Sequence, residues 1–155
     1  MSRDRHPREK KWSLLAVRSN KLHRARQLGF PYPRESELRM MERETLNVLF
    51  VCSMNQWRSP TAEKVYADTP LINVRSRGTS HKARQTITAN DVNWADIVIV
   101  MENKHRQRLA STFSREMQHK ETHVLDIPDQ YKFMDPELVD EIQSAVNPIL
   151  DDFRQ

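Results

Sequence analysis

The sequence predicts an α/β fold: a single-domain open parallel sheet of about four strands, with helices on both faces, running from residue 46 to 155. Three observations carry this reading. Val48 to Val51 and Ile97 to Val100 are uninterrupted apolar runs, which suit strands covered on both faces rather than strands with one wet side. Strand and helix patterns alternate along the chain at the spacing of parallel crossover units. The first apolar run also ends in a short loop that opens directly into a helix start, Ser59-Pro60.

The first strand delivers Cys52 into this loop, with Ser59 read as the N-cap and Pro60 as the first-turn proline of a helix reaching Ala67. The loop's backbone N–H groups and the positive end of the helix would converge on one point, which suits a phosphate and favours a thiolate at Cys52. Ser53, Met54, Asn55, Gln56, Trp57, Arg58 and Ser59 form the expected anion seat. Arg58 has the planar fork that grips two oxygens at once, and Asn55 is placed to brace the loop through its side chain. A lone cysteine at a strand end is most often a small buried side chain. The strand before it and the helix start after it favour the chemical reading here.

Leu71 to Val74 reads as a short second strand, followed by Gly78, one of two glycines, at a backbone turn that a side chain would obstruct. His81 to Ile87 reads as a basic loop. Thr88 and Asp91 form a capping-box start for a short helix through Trp94, Ile97 to Val100 a central strand, Asn103 to Leu109 a helix and Thr122 to Leu125 a fourth strand. Leu138, Ile142, Val146, Ile149 and Phe153 recur at helical spacing and predict a C-terminal helix.

Ligands of open parallel sheets bind at the carboxyl ends of the strands, so the loop from Asp126 to Asp135 should emerge beside Cys52. Four carboxylates there compete as general acid. Asp135 precedes Pro136 and reads as an N-cap, Glu137 as a first-turn residue favoured by the helix dipole, and Asp126 as part of the strand end. Asp129 is favoured, with Asp126 and Asp135 as alternatives.

The stretch Val-Leu-Phe-Val-Cys-Ser-Met-Asn-Gln-Trp-Arg-Ser-Pro-Thr-Ala-Glu, residues 48–63, resembles the phosphate loop of the low-molecular-weight protein tyrosine phosphatases. The resemblance continues through Ser76-Arg77-Gly78-Thr79, residues 94–102 and Ile127-Pro128-Asp129-Gln130-Tyr131. It implies the phosphotyrosine protein phosphatase I-like fold and hydrolysis of a phosphomonoester through a phosphocysteine. Cys52 would attack phosphorus, Arg58 and the loop would hold the oxygens, and Asp129 would protonate the leaving group. Ser59 would donate a hydrogen bond to the sulfur. No metal and no cofactor is implied, and the partner is a phosphorylated substrate.

Departures from the family pattern bear on substrate choice. Met54 stands where glycine is usual, Trp57 where many members carry a second cysteine, and Gln130 where proline follows the acid. Trp57 is expected to pack beneath the loop rather than wall a pocket, and the loop around Asp129 to be less constrained. The interval from Cys52 to Asp129 is shorter than usual, so a small phosphoester or a nucleotide or RNA terminal phosphate is also credible. An arsenate reductase on the same scaffold is disfavoured, because those of this type use additional cysteines. The stronger rival is a phosphate- or RNA-binding protein with little turnover.

Composition is consistent with one domain: 155 residues with 37% hydrophobic content can build a proper core. Charge is uneven, with 12 Lys or Arg against 6 Asp or Glu in residues 1–45 and 13 against 15 in residues 46–155. Residues 1–45 read as a basic extension, with a helix between Pro7 and Phe30 ended by Gly29 and Pro31-Tyr-Pro33. A solvated tail, or sequence upstream of a start at Met40 or Met41, is favoured over an arm that touches nucleic acid. The single cysteine fits a reducing compartment and no stretch reaches the length of a membrane span, so a cytoplasmic protein is expected. The six histidines show no metal-ligand pattern, and the oligomeric state is not legible.

Overall fold

The structure, a computed structural model, describes residues 45–154. The basic extension, its expected helix and its possible nucleic-acid contact lie outside the described residues. The chain divides into two compact units; Thr45–Val146 holds the sheet and the candidate site, and the described part of the other is the end of the last helix, from Asn147.

Four strands form one parallel sheet: β1 (Leu46–Cys52), β2 (Ile72–Gly78), β3 (Ile97–Val100) and β4 (Glu121–Val124), in the order β2-β1-β3-β4. The helices between them are α1 (Arg58–Tyr66), α2 (Ala89–Trp94), α3 (Asn103–Thr112) and α4 (Ser114–Met117), and α5 (Pro136–Arg154) follows β4. The apolar runs behave as their composition dictates, since Val48 to Val51 and Ile97 to Val100 are fully buried. Pleating sends alternate residues to opposite faces. Leu49, Val51, Val98 and Val100 join Val92 and Leu109 in one core cluster, which Trp94, Phe113 and Met117 flank. Phe50 faces the other way and stacks on Tyr66 of α1 with ring centroids 6.0 Å apart, a contact contributing about 1 kcal/mol beyond the area it buries.

β2 runs past its expected end at Val74, through Arg75 and Arg77 to Gly78. It is an edge strand, where charged side chains are tolerated. Both arginines reach Asp91, with Arg77 Nε 3.2 Å from one carboxylate oxygen and Arg75 Nη1 3.4 Å from the other, and Arg75 also lies 4.1 Å over the Trp94 ring. Asp91 closes the expected capping box as well, accepting from the Thr88 N–H at 3.0 Å while donating its own N–H to Thr88 Oγ1 at 3.3 Å. α4 has no counterpart in the sequence reading. α5 carries the expected stripe on Leu138, Ile142, Val146 and Phe153, with Leu150 fully engaged and Ile149 only half-buried.

β1 sits between β2 and β3, and the connections leaving β1 and β3 go to opposite sides at this reversal of strand order. Such a switch point opens a crevice outside the carboxyl ends of the two strands. Cys52 ends β1 there, and Met101 and Glu102 follow β3.

Candidate active site

The loop from Cys52 to Arg58 is shaped from outside. Thr79 N–H donates to the Cys52 carbonyl at 2.9 Å, Ser80 N–H to Ser53 at 3.0 Å and Arg84 N–H to Met54 at 3.0 Å, while Arg84 Nε donates to the Asn55 carbonyl at 3.1 Å. In a planar trans peptide the N–H of the next residue points opposite to the carbonyl. Pulling four successive carbonyls outward therefore turns the N–H groups of residues 53–56 to the concave side, as an anion nest requires. The left-handed backbone this needs falls at Asn55, with φ 54°, a residue type that tolerates it. Met54, at the position where glycine was expected, keeps an ordinary φ.

Gly78 is required by close approach rather than by a turn. It is the last residue of β2, paired with Cys52, and a Cβ on it would lie 2.5 Å from the Ser53 carbonyl oxygen and 2.5 Å from the Ala83 Cβ. Both neighbours belong to the loop or its brace.

A chain of buried hydrogen bonds ends on the sulfur. Ser76 Oγ donates to Glu63 and accepts from Asn55 Nδ2 at 3.0 Å. The second Asn55 Nδ2 proton goes to Ser59 Oγ at 2.9 Å. Ser59 Oγ then lies 2.9 Å from Cys52 Sγ, with the Arg77 carbonyl at 3.3 Å as its other acceptor. The hydroxyl oxygen is occupied by Asn55, so its one proton is available to a thiolate at Cys52. Asn55, Ser59 and Ser76 are fully buried and Cys52 is 3% exposed, so little water competes for these bonds. The expected brace at Asn55 is present, and Ser59 Oγ lies within hydrogen-bond distance of the sulfur. Ser59 does not cap the helix, however. α1 begins at Arg58 and its N-cap position, Trp57, makes no side-chain cap; the Ser59 side chain is committed to the sulfur.

Arg58 is 2% exposed and held from behind. Nη1 donates to Glu102 and to the Ile127 carbonyl at 2.9 Å. This leaves Nη2 and Nε uncommitted to hydrogen bonds among the described residues. Burial works to raise the Glu102 pKa, but its hydrogen bond with Arg58 and the charges of Arg58, Lys104 and His105 outweigh it and hold the carboxyl below its ordinary range. Glu102 is in turn fixed by His105, whose Nδ1 accepts from the Glu102 N–H at 3.0 Å. That bond assigns the proton to Nε2, which donates to Ser53 Oγ at 2.8 Å. Burial, seconded by the charge of Arg58, lowers the His105 pKa to about 4, so the ring is neutral near pH 7. His105 thus ties the end of β3 to the phosphate loop.

Asp129 stands at the mouth, about half exposed, with Oδ1 3.7 Å from Arg58 Nε. Its loop is anchored more firmly than the missing proline led one to expect. Ile127 N–H donates to the Met101 carbonyl at 2.9 Å, Met134 N–H to Thr61 Oγ1 at 2.9 Å, and the Tyr131 hydroxyl to Glu141 at 2.9 Å. Gln130 N–H closes a tight turn around Asp129 by donating to the Pro128 carbonyl at 3.0 Å, a bond proline cannot make. Asp135 caps α5, accepting from the Glu137 N–H at 2.9 Å, as the sequence indicated. Asp126 is exposed and takes a left-handed φ of 57°.

The structure therefore gathers Cys52, Asn55, Arg58, Ser59 and Asp129 at one crevice, with Ser53 turned to His105. Met54, Gln56 and Trp57 point their side chains outward. Trp57 departs from the packing role expected of it: 41% exposed, it walls a cleft beside the loop. Glu63, Ser76, Glu102 and His105 were not singled out from sequence. For Glu102 the signal was available, a carboxylate directly after a fully buried strand beside β1. Among the described residues no three His, Cys, Asp or Glu side chains group as metal ligands, and no helix is long and apolar enough to cross a membrane.

The architecture is the fold of the low-molecular-weight protein tyrosine phosphatases. Solved structures that share it include a low-molecular-weight phosphotyrosine phosphatase from Vibrio cholerae O395, with TM-score 0.56 and 22% identity over 71% of this chain and 97% of that one. Wzb from Vibrio vulnificus, in complex with benzylphosphonate, gives TM-score 0.56 and 22% identity over 68% and 97%. The arginine phosphatase YwlE from Geobacillus stearothermophilus gives TM-score 0.53 and 19% identity over 70% and 90%. No family profile matches the sequence, and no curated protein does.

Proposed function

We propose that this chain is a cysteine-dependent phosphomonoester hydrolase acting through a phosphocysteine intermediate, on phosphotyrosine protein or a small phosphoester. One observation supports the reading: Cys52 Sγ lies 2.9 Å from Ser59 Oγ, within hydrogen-bond distance, at the base of a loop whose carbonyls at residues 52–55 are drawn outward. The Cys52 thiolate attacks phosphorus; the S–P bond forms as the P–O bond to the leaving group breaks, and Asp129 gives that oxygen its proton. Water then attacks phosphorus and passes its proton to Asp129, the S–P bond breaks, and the Ser59 hydroxyl stabilises the departing thiolate. Arg58 and the N–H groups of residues 53–56 carry the charge of the equatorial oxygens. The reaction as written uses no cofactor. Because it depends on a reduced thiol, a cytoplasmic setting suits it.

Hydrolysis of p-nitrophenyl phosphate in the presence of EDTA tests the proposal. Turnover is expected in the wild type, none in Cys52→Ser, and a loss of roughly two orders of magnitude or more in Asp129→Ala. Turnover that survives Cys52→Ser would exclude a phosphocysteine.

A further inference from the structure

The cleft beside the phosphate loop is not part of the chemistry just described. It has a volume of about 480 Å³ and begins at Gln56 and Trp57, where the loop runs into α1. From there it follows α1 past Pro60 and Lys64 to Ala67, with Phe133 and Arg84 completing its walls. At the rise of an α-helix, the ten steps from Trp57 to Ala67 span about 15 Å. That is the length of four or five residues of extended chain, at about 3.3 Å each, and exceeds what a phosphate seated over Cys52 would occupy.

The walls are unusual for a surface. Trp57 and Phe133 are 41% and 46% exposed, two of the four large hydrophobic side chains so exposed among the described residues. Lys64 lies 5.7 Å over the Phe133 ring. Neither Lys64 nor Arg84 has a carboxylate partner among the described residues. The carboxylate in the lining, Glu63, is engaged by the Ser76 hydroxyl. An occupant with one apolar and one acidic side chain satisfies both aromatic walls and both cations. A nucleic acid satisfies them less well, since its backbone asks for a long groove of successive positive groups, and here the lining supplies Lys64 and Arg84.

We propose that this cleft holds the polypeptide flanking the phosphorylated side chain of a protein substrate, and selects flanks that carry an acidic and an apolar residue. The proposal rests on the phosphatase reading for the place of the phosphate, and not for the cleft itself.

Fluorescence anisotropy on the full chain carrying Cys52→Ser tests it with labelled phosphotyrosine peptides of equal length, flanked either by Glu and Leu or by Lys and Leu. The acidic peptide is expected to bind roughly three- to tenfold more tightly. Adding Lys64→Glu should reverse that preference, and Phe133→Ala should weaken both peptides. In the chain that keeps Cys52, Lys64→Glu and Phe133→Ala should each leave kcat/KM for p-nitrophenyl phosphate within about twofold, since neither side chain is among the groups that hold or attack the phosphate. Equal binding of the two peptides, no binding of either, or indifference to Lys64→Glu overturns the proposal. So does a 5′-phosphorylated oligoribonucleotide that binds more tightly than the acidic peptide and loses that affinity in Lys64→Glu. Absence of p-nitrophenyl phosphate turnover in the wild type counts against the hydrolase reading alone, because the peptide preference is read by binding.

Discussion

Arg58 shows how a site's power resides in the neighbours of its charged group. Its guanidinium is almost fully buried, and Glu102 and the Ile127 carbonyl fix one nitrogen so that the others face the crevice. Removing the Glu102 charge should release the fork without deleting it. Glu102→Gln is expected to lower kcat/KM for p-nitrophenyl phosphate roughly tenfold or more, the scale of losing a charge-assisted hydrogen bond. Steady-state kinetics checks this, and an unchanged kcat/KM would mean that Arg58 is positioned by the Ile127 carbonyl alone. The residues proposed to meet the substrate, Cys52, Arg58 and an acidic residue on the last loop, could be nominated from sequence because chemistry restricts their type. Glu102, Glu63 and Ser76 were not, since each acts through one partner that only the folded chain reveals.

Elements explain the rest of what the sequence told. Fully apolar strands announce themselves, and β1 and β3 were found where their composition put them. β2 was read four residues short because an edge strand mixes charged and buried positions, and here two arginines share Asp91 across the loop. The run from His81 to Ile87 reads from sequence only as a basic loop, yet its Arg84, with Thr79 and Ser80 just before it, supplies the donors that bend the phosphate loop. Gly78 is the joint between these two elements. In Gly78→Ala the methyl group would meet the Ser53 carbonyl oxygen, a backbone atom that cannot swing aside. The substitution is expected to cost about 1–3 kcal/mol in stability, the range of overpacking, and to raise the Ki of inorganic phosphate as the nest distorts. Urea unfolding and phosphate inhibition measure the two effects, and an unperturbed Ki would show that the loop shifts as a rigid piece.

At the scale of the whole molecule, the buried site makes stability depend on pH. His105 keeps its proton off until about pH 4, whereas an exposed histidine in the unfolded chain takes one up near 6.5. Between those values the unfolded state binds more protons, so stability falls as the pH falls and is unaffected by His105 above 6.5. The full interval is worth about 3 kcal/mol. Glu102 works in the same sense: its lowered pKa gives stability that is present above the ordinary carboxylate range and lost on acidification below it. Urea midpoints recorded from pH 7 down to 4.5 should therefore decline, and His105→Gln should flatten the decline above pH 5. A slope unchanged in that variant would assign the acid sensitivity to other groups.

The outward pull on the loop's carbonyls has a consequence for how such a protein can diverge. The curvature of the anion seat is stored in residues 78–84, and the loop's own outward side chains at 54, 56 and 57 are spared that duty. Those positions are exchangeable parts. Exchange of the side chains there would leave the outward hydrogen bonds to the carbonyls in place, so that the rim of the crevice can be recut without unmaking its floor.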